Sequence, residues 1–213
     1  MADSGKKKAA LEALKYVRRG MALGLGTGST TAHFVRLLGE ANRKTNMELK
    51  CISTSIKTER LAMEYGLKLV GFGDIDHIDL AVDGADVVVG KNLIKGLGGG
   101  AITREKAVDY RAKEFVVIVD GSKVKRVFGG VVPLEVLPFA SEAVKQDVEA
   151  MGAKTKYRMD GSRKFVTDNG NYILDAFFNR ITAARKMERE LNSIPGVVEN
   201  GIFTRKCKVI VGR

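Results

Sequence analysis

The sequence predicts an α/β protein: a doubly wound sheet followed by a small α+β domain. Three observations point there. Strand-like and helix-like patterns alternate through the first half of the chain, the signature of strands joined by helical crossovers. Phe115-Val116-Val117-Ile118-Val119 is apolar on both faces, as a central parallel strand should be. Near Gly129-Gly130 the pattern then changes to short strands separated by tight turns.

Taken in order, Lys8 to Arg18 has Leu11, Leu14 and Val17 at helical spacing. Met21 to Leu25 is a short apolar strand, Gly26 to Thr31 a turn, and Phe34, Val35, Leu37, Leu38 and Ala41 the buried face of a helix. Strands are expected at Glu48 to Ile52, Leu67 to Val70, Asp79 to Val82 and Phe115 to Val119, with helices near Lys57 to Tyr65 and Thr103 to Lys113. In the second part a strand at Val131 to Leu137 precedes a helix bearing Val144, Val148 and Met151. Strands at Lys154 to Tyr157, Lys164 to Thr167 and Tyr172 to Leu174 flank the turn dipeptides Asp160-Gly161 and Asn169-Gly170. A further helix carries Ile181, Ala184, Met187 or Glu188, and Leu191, and Lys208 to Val211 is a last strand returning to the main sheet. The expected division is residues 1–129 plus 205–213 for the main domain and 130–204 for the smaller one.

Composition narrows the chemistry. The 213 residues carry a net charge of +11, which suits an anionic small molecule and also nucleic acid. No nucleic-acid-binding module and no basic stretch interleaved with aromatics is visible, so no nucleic acid is expected as partner. No apolar run approaches the length of a membrane span, and the polar start of the chain does not read as a signal peptide, so no membrane association and a cytoplasmic location are expected. Cys51 and Cys207 lack metal spacing and read as reduced core thiols.

Four polar loops follow apolar strands. Gly24-Leu25-Gly26-Thr27-Gly28-Ser29-Thr30-Thr31 offers backbone N–H groups, hydroxyls and a helix N-terminus to an anion, or else is a tight turn with hydroxyl caps. It fits neither a dinucleotide fingerprint, since Ser29 or Thr31 stands where the last glycine belongs, nor a P-loop, which needs a Lys directly after its final glycine. Asp83-Gly84-Ala85-Asp86 places two carboxylates at a strand end, where open α/β sheets bind ligands; turn chemistry alone could also explain them. Lys95-Gly96-Leu97-Gly98-Gly99-Gly100 combines a lysine with a backbone able to approach a ligand closely, and Glu105 follows early in a helix, where it would also complement the dipole. Asp120-Gly121-Ser122-Lys123 is the fourth. Together these loops supply hydroxyls, carboxylates and lysines without a metal-ligand set, which meets the needs of proton transfer on a phosphorylated polyol. No metal and no cofactor is expected.

GTGSTT (Gly26–Thr31), DGAD (Asp83–Asp86), KGLGGGAITREK (Lys95–Lys106), DGSK (Asp120–Lys123), TDNGN (Thr167–Asn171) and IPGVVENGIF (Ile194–Phe203), in this order and spacing, resemble A-type ribose-5-phosphate isomerase over nearly the whole chain. The resemblance implies a Rossmann-like domain with a smaller inserted α+β, ferredoxin-like domain, a phosphorylated pentose as substrate, and assembly as homodimer or homotetramer. It implies that Glu105 is the general base, that Lys95 stabilises the developing oxyanion, and that Asp83 and Asp86 assist ring opening and proton transfer among hydroxyls. Thr27, Gly28, Ser29 and Thr30 would form the phosphate-side loop, with Lys123 and Lys6 adding positive charge, and Gly84, Ala85, Gly96, Leu97, Gly98 and Gly99 would complete the substrate contacts. Two departures stand out: Val87 follows DGAD where the family typically has Glu, and Leu97 makes the glycine-rich loop one residue longer. Other members of the wider fold group, an amino-sugar phosphate deaminase or a CoA transferase, and a binding protein, either a sugar-phosphate sensor or a nucleic-acid binder, are the competing readings.

Overall fold

The computed structural model describes residues 2–212, and every element below lies among them. In chain order these are α1 (Ala2–Leu14), β1 (Ala22–Leu25), α2 (Ser29–Thr45), β2 (Lys50–Ser53), α3 (Ile56–Glu64), β3 (Ile78–Asp83), β4 (Val87–Val89), β5 (Asn92–Ile94), α4 (Ile102–Asp109) and β6 (Ala112–Asp120). There follow β7 (Gly130–Val136), α5 (Ser141–Ala150), β8 (Lys154–Tyr157), β9 (Met159–Asp160), β10 (Arg163–Lys164), β11 (Tyr172–Phe178), α6 (Ala184–Asn192), β12 (Val197–Asn200), β13 (Ile202–Phe203) and β14 (Lys208–Gly212). The chain divides into two compact units. The first is the chain up to Ala85, Arg104–Val124 and the chain from Lys206 on; the second is Asp86–Thr103 and Lys125–Arg205.

The first unit is built on a five-stranded sheet in the order β14-β6-β3-β1-β2, parallel throughout. Alternation along each strand sorts side chains to two faces. Leu23 and Leu25, Leu80 and Val82, and Val116 and Ile118 join a cluster with Ala9, Ala10 and Ala13 of α1 and Phe34, Val35 and Leu38 of α2. The opposite face at Gly24 and Ala81 lies against α4: a Cβ on Gly24 would stand 2.4 Å from a Val108 methyl and 3.1 Å from the Ala81 Cβ. Helices therefore cover both faces, the Rossmann-like arrangement. Each buried Leu, Val or Ile contributes about 1.5–3 kcal/mol, whereas an exposed ion pair such as Lys15–Glu12 is worth at most about 1 kcal/mol. The apolar layers hold this unit together.

The order of β1, β2 and β3 sets where chemistry can occur. From β1 the chain moves to β2 on one side; β3 returns to pair with β1 on the other. This is a topological switch point, where loops leaving adjacent strands diverge and open a crevice at their carboxyl ends.

The second unit carries the antiparallel sheet β12-β7-β11-β8, with α5 between β7 and β8 and α6 between β11 and β12. This βαββαβ order is the ferredoxin-like arrangement. Val132, Leu134 and Val136 of β7 and Leu174, Ala176 and Phe178 of β11 pack with Val144 and Val148 of α5 and Ala184 and Leu191 of α6.

Several boundaries differ from expectation for identifiable reasons. β4 and β5, absent from the sequence reading, form a small antiparallel sheet with β13. That pairing draws Asp86–Thr103 into the second unit, although 1–129 was assigned to the first. Val87, the residue that departs from the family pattern, opens β4 opposite Ile94. Helix α1 starts earlier than Lys8, and Leu11 is exposed; its inner face is made of Gly5, Ala9, Ala10 and Ala13, small residues that permit close packing. Leu67 to Val70 makes only a single bridge, between Leu69 and Cys51. Residues 164–167 extend as a strand only to Lys164, with Val166 bridging Tyr172. Ile181 precedes α6, its N–H donating to the Phe128 carbonyl. Cys51 is a core thiol, and burial pushes its pKa up to about 12; Cys207 is only half-buried.

Candidate active site

In the first unit the loop leaving β1 is tied to the end of β3. The Gly26 N–H donates to the Val82 carbonyl (3.0 Å). The Asp83 carboxylate accepts through Oδ1 from the N–H of Thr27 (3.0 Å) and of Gly84 (2.6 Å). Asp83 is fully buried. A Cβ at Gly26 would lie 2.0 Å from the Asp83 carboxyl carbon, so only glycine lets the two segments approach this closely.

Thr27 turns its hydroxyl into a cluster at the end of β2, within 2.9 Å of Thr54 Oγ1, 2.7 Å of Ser55 Oγ and 3.2 Å of Thr58 Oγ1. The Thr58 hydroxyl donates to the Gly26 carbonyl (3.0 Å), and Ser55 caps α3 by accepting from the Thr58 N–H. The cluster fixes the loop from behind, while Gly28 and Ser29 remain exposed at the start of α2. A helix of 17 residues presents its free N–H groups and positive dipole end there, a ready anion site. Thr54, Ser55 and Thr58 were not singled out from the sequence; the run Ser53-Thr54-Ser55 after a strand was the available signal.

At the carboxyl end of β6, Asp120 accepts from the N–H (2.9 Å) and the hydroxyl of Ser122. The Ser122 hydroxyl bond, opposed by burial and aided by the Ser122 N–H and the charges of Lys123 and Lys6, holds the Asp120 carboxyl below the usual range. Lys6, on α1, and Lys123 thus gather around one carboxylate. Glu105 lies in the first turn of α4 and is buried, as are Lys106 and Asp109.

In the second unit Lys95 directly follows β5. Its backbone N–H donates to the Gly201 carbonyl (2.9 Å), and its buried ammonium lies 5.3 Å from the centre of the Phe203 ring. The Asp86 N–H donates to Ile94, and its carboxylate accepts from the Leu97 N–H at 2.8 Å. Asp86 therefore staples the glycine-rich loop. Gly96 adopts φ 92°, and a Cβ there would stand 2.2 Å from an Ile102 methyl. Its carbonyl accepts from Arg158 (2.6 Å), itself paired at 3.1 and 2.5 Å with Asp175. Leu97, Gly98 and Gly99 are exposed at the tip. The sequence reading missed Arg158 and Asp175, whose meeting depends on the register of β11.

The structure thus joins Thr27 with Asp83 and Lys6 with Lys123 in the first unit, and Asp86 with Leu97 in the second. Among the described residues no group of three or more His, Cys, Asp or Glu is arranged to hold a metal ion, and no helix is long and apolar enough to cross a membrane.

These features define a class: a Rossmann-like α/β protein with an exposed glycine- and hydroxyl-rich loop at the switch point of its sheet and a ferredoxin-like second unit. The model of the family ribose 5-phosphate isomerase A (phosphoriboisomerase A) matches residues 50–213, and the chain belongs to that family. It is 48% identical over 214 residues to ribose-5-phosphate isomerase A of Methanocaldococcus jannaschii, covering 97% of this chain and 93% of that protein. To its namesake from Thermococcus kodakarensis it is 46% identical, covering 97% and 92%. A solved D-ribose-5-phosphate isomerase in complex with phospho-erythronic acid superposes with a TM-score of 0.95 at 44% identity, over 100% of this chain and 95% of that one.

Proposed function

We propose that this chain interconverts D-ribose 5-phosphate and D-ribulose 5-phosphate through a cis-enediolate, a step of the non-oxidative pentose phosphate pathway. The observation that carries the proposal is the burial of three ionisable side chains within motifs of this family: Asp83, Lys95 and Glu105 are 0%, 2% and 5% exposed. Keeping such groups out of water is costly unless they are used or well paired.

The phosphate is bound by Thr27, Gly28, Ser29 and Thr30 at the start of α2, with Lys6 and Lys123 supplying positive charge. Asp83 and Asp86 assist opening of the sugar ring. Glu105 then removes the proton from carbon 2; the carbon–hydrogen electrons form the carbon 1–carbon 2 double bond, and the carbonyl electrons move to oxygen 1. The Lys95 ammonium stabilises that developing oxyanion. A proton passes from the hydroxyl on carbon 2 to oxygen 1, with the aspartates as relay, and Glu105 returns its proton to carbon 1. Oxygen 2 becomes the ketone. One carbon is oxidised and its neighbour reduced, so no external oxidant or reductant enters. Gly84, Ala85, Gly96, Leu97, Gly98 and Gly99 complete the substrate contacts that the family resemblance implies. The proposal extends to a cytoplasmic homodimer or homotetramer, the state that the family resemblance implies.

The test is conversion of ribose 5-phosphate by the purified chain before and after exhaustive chelation. Ketopentose phosphate should form at the same rate in both. No conversion would remove the proposal, and a loss on chelation reversed by a divalent ion would overturn the metal-free mechanism.

A further inference from the structure

The face of β7 and β11 turned away from α5 and α6 carries Pro133, Glu135, Ile173 and Asp175, with Ile173 paired opposite Glu135. The glycine-rich loop rests on this face. A Cβ at Gly100 would meet Ile173 and Phe165 at 3.1 Å, and Arg158 links the Gly96 carbonyl to Asp175. Glu135 is fully buried there. Its Oε1 accepts from the Thr167 hydroxyl (2.7 Å) and from the side-chain amides of Asn169 (3.0 Å) and Asn171 (2.9 Å); its Oε2 accepts from the Thr103 hydroxyl at 2.5 Å.

All four donors are neutral, so the desolvation of the carboxylate is met by hydrogen bonds alone. Three of them fold the Thr167–Asn171 turn onto the sheet. The fourth serves a different end: Thr103 lies in the first turn of α4, two residues before Glu105. A helix is stiff over so short a span, so a bond that fixes Thr103 also fixes the rotation and start of the turn carrying Glu105.

We infer that Glu135 is a positioning residue for the isomerisation, acting through Thr103 to hold the first turn of α4 and so to aim Glu105. This inference rests on the reading of Glu105 as the base. It also gives the TDNGN segment a role: its Thr and Asn side chains supply the donors that let the carboxylate stay buried.

The test uses the intact enzyme and five variants. Thr103→Val keeps the side-chain shape but removes the donor; it should lower kcat for ribose 5-phosphate by about tenfold or more, because small misplacements of a base are costly, and leave KM little changed. Thr103→Ser should restore kcat. Glu135→Gln turns an amide toward donors and should lower kcat similarly, and the double variant should lose no more than the worse single variant, since both break one link. Wild-type kcat in Thr103→Val, or a double variant showing the product of the two single losses, would reduce the network to a structural role. If Glu135→Gln does not fold, the Thr103→Val and Thr103→Ser pair decides alone. Glu105→Gln separates the two readings: full turnover there refutes Glu105 as base, whereas an inactive Glu105→Gln beside a fully active Thr103→Val refutes only the positioning.

Discussion

The two units hold their polar groups in opposite ways. The first has a parallel sheet covered on both faces, and its polar groups stand at the carboxyl ends of β1, β3 and β6. The second has an antiparallel sheet whose one face packs on helices and whose other face carries polar side chains: the buried Glu135 accepts from Thr103, and the half-buried Asp175 holds the glycine-rich loop through Arg158. A parallel sheet has only its ends free; an antiparallel one can use a face. In the first unit backbone N–H groups hold the strand-end carboxylate Asp83, while in the second side chains hold the loop. Changes in the first unit should therefore alter proton transfer and phosphate affinity, and changes in the second should alter charge stabilisation and aim.

The largest expected effect is that of Glu105→Gln, which keeps the shape of the side chain but cannot take a proton. Turnover should fall by about 10²–10⁴-fold, with the fold and substrate affinity preserved as judged by circular dichroism and equilibrium binding. Lys95→Ala comes next. An ammonium beside the enediolate oxygen acts mainly in the transition state, so kcat should drop on the order of 10²-fold with a smaller change in KM. A raised KM at constant kcat would assign Lys95 to binding only.

Smaller effects are expected at the phosphate loop. Ser29→Ala removes one donor to an anion and should raise KM by about tenfold. Ser29→Glu, which sets charge against charge, should weaken binding much more; normal affinity there would move the phosphate elsewhere. The smallest effect concerns Asp120. Its carboxyl is held below the usual range by Ser122, Lys123 and Lys6. The stability it supplies is present above the unfolded carboxylate pKa of about 3.9 and is lost as pH falls through the lower folded value. Asp120→Asn should be less stable than the parent near neutral pH, and the gap should close in acid. Denaturant midpoints across that range measure it, and a gap independent of pH would contradict the account.

How much the sequence revealed follows the same division. The parallel sheet was legible because strands buried on two faces read as unbroken apolar runs, as in Phe115–Val119, and because glycines and hydroxyls mark the loops after them. The motif residues were legible too, since Gly26, Asp83, Lys95 and Glu105 sit in short local patterns. What escaped depends on distant pairing. The short β4, β5 and β13 have too few residues for a period to show, and β13 finds its partner β5 more than a hundred positions away. Thr54, Ser55 and Thr58 acquire meaning only once β2 lies beside β1. Glu135 reads as one polar residue in an apolar strand; its four donors come from two other segments. Helix α1 was displaced because Leu11 suggested a core face, whereas glycine and alanine form the actual one.

The central claim is that Glu105, and not Asp83, moves the proton between carbons 1 and 2. Both carboxylates are buried, and Oδ1 of Asp83 accepts from the N–H groups of Thr27 and Gly84, which ties it to the loop. The direct measurement is exchange of the carbon-2 hydrogen of ribose 5-phosphate with deuterated solvent, followed by nuclear magnetic resonance for Glu105→Gln and Asp83→Asn. The account predicts that Glu105→Gln loses this exchange while Asp83→Asn retains it at a reduced rate. Exchange at the wild-type rate in Glu105→Gln, together with its loss in Asp83→Asn, would contradict the assignment and leave Glu105 as a residue of the helix start alone.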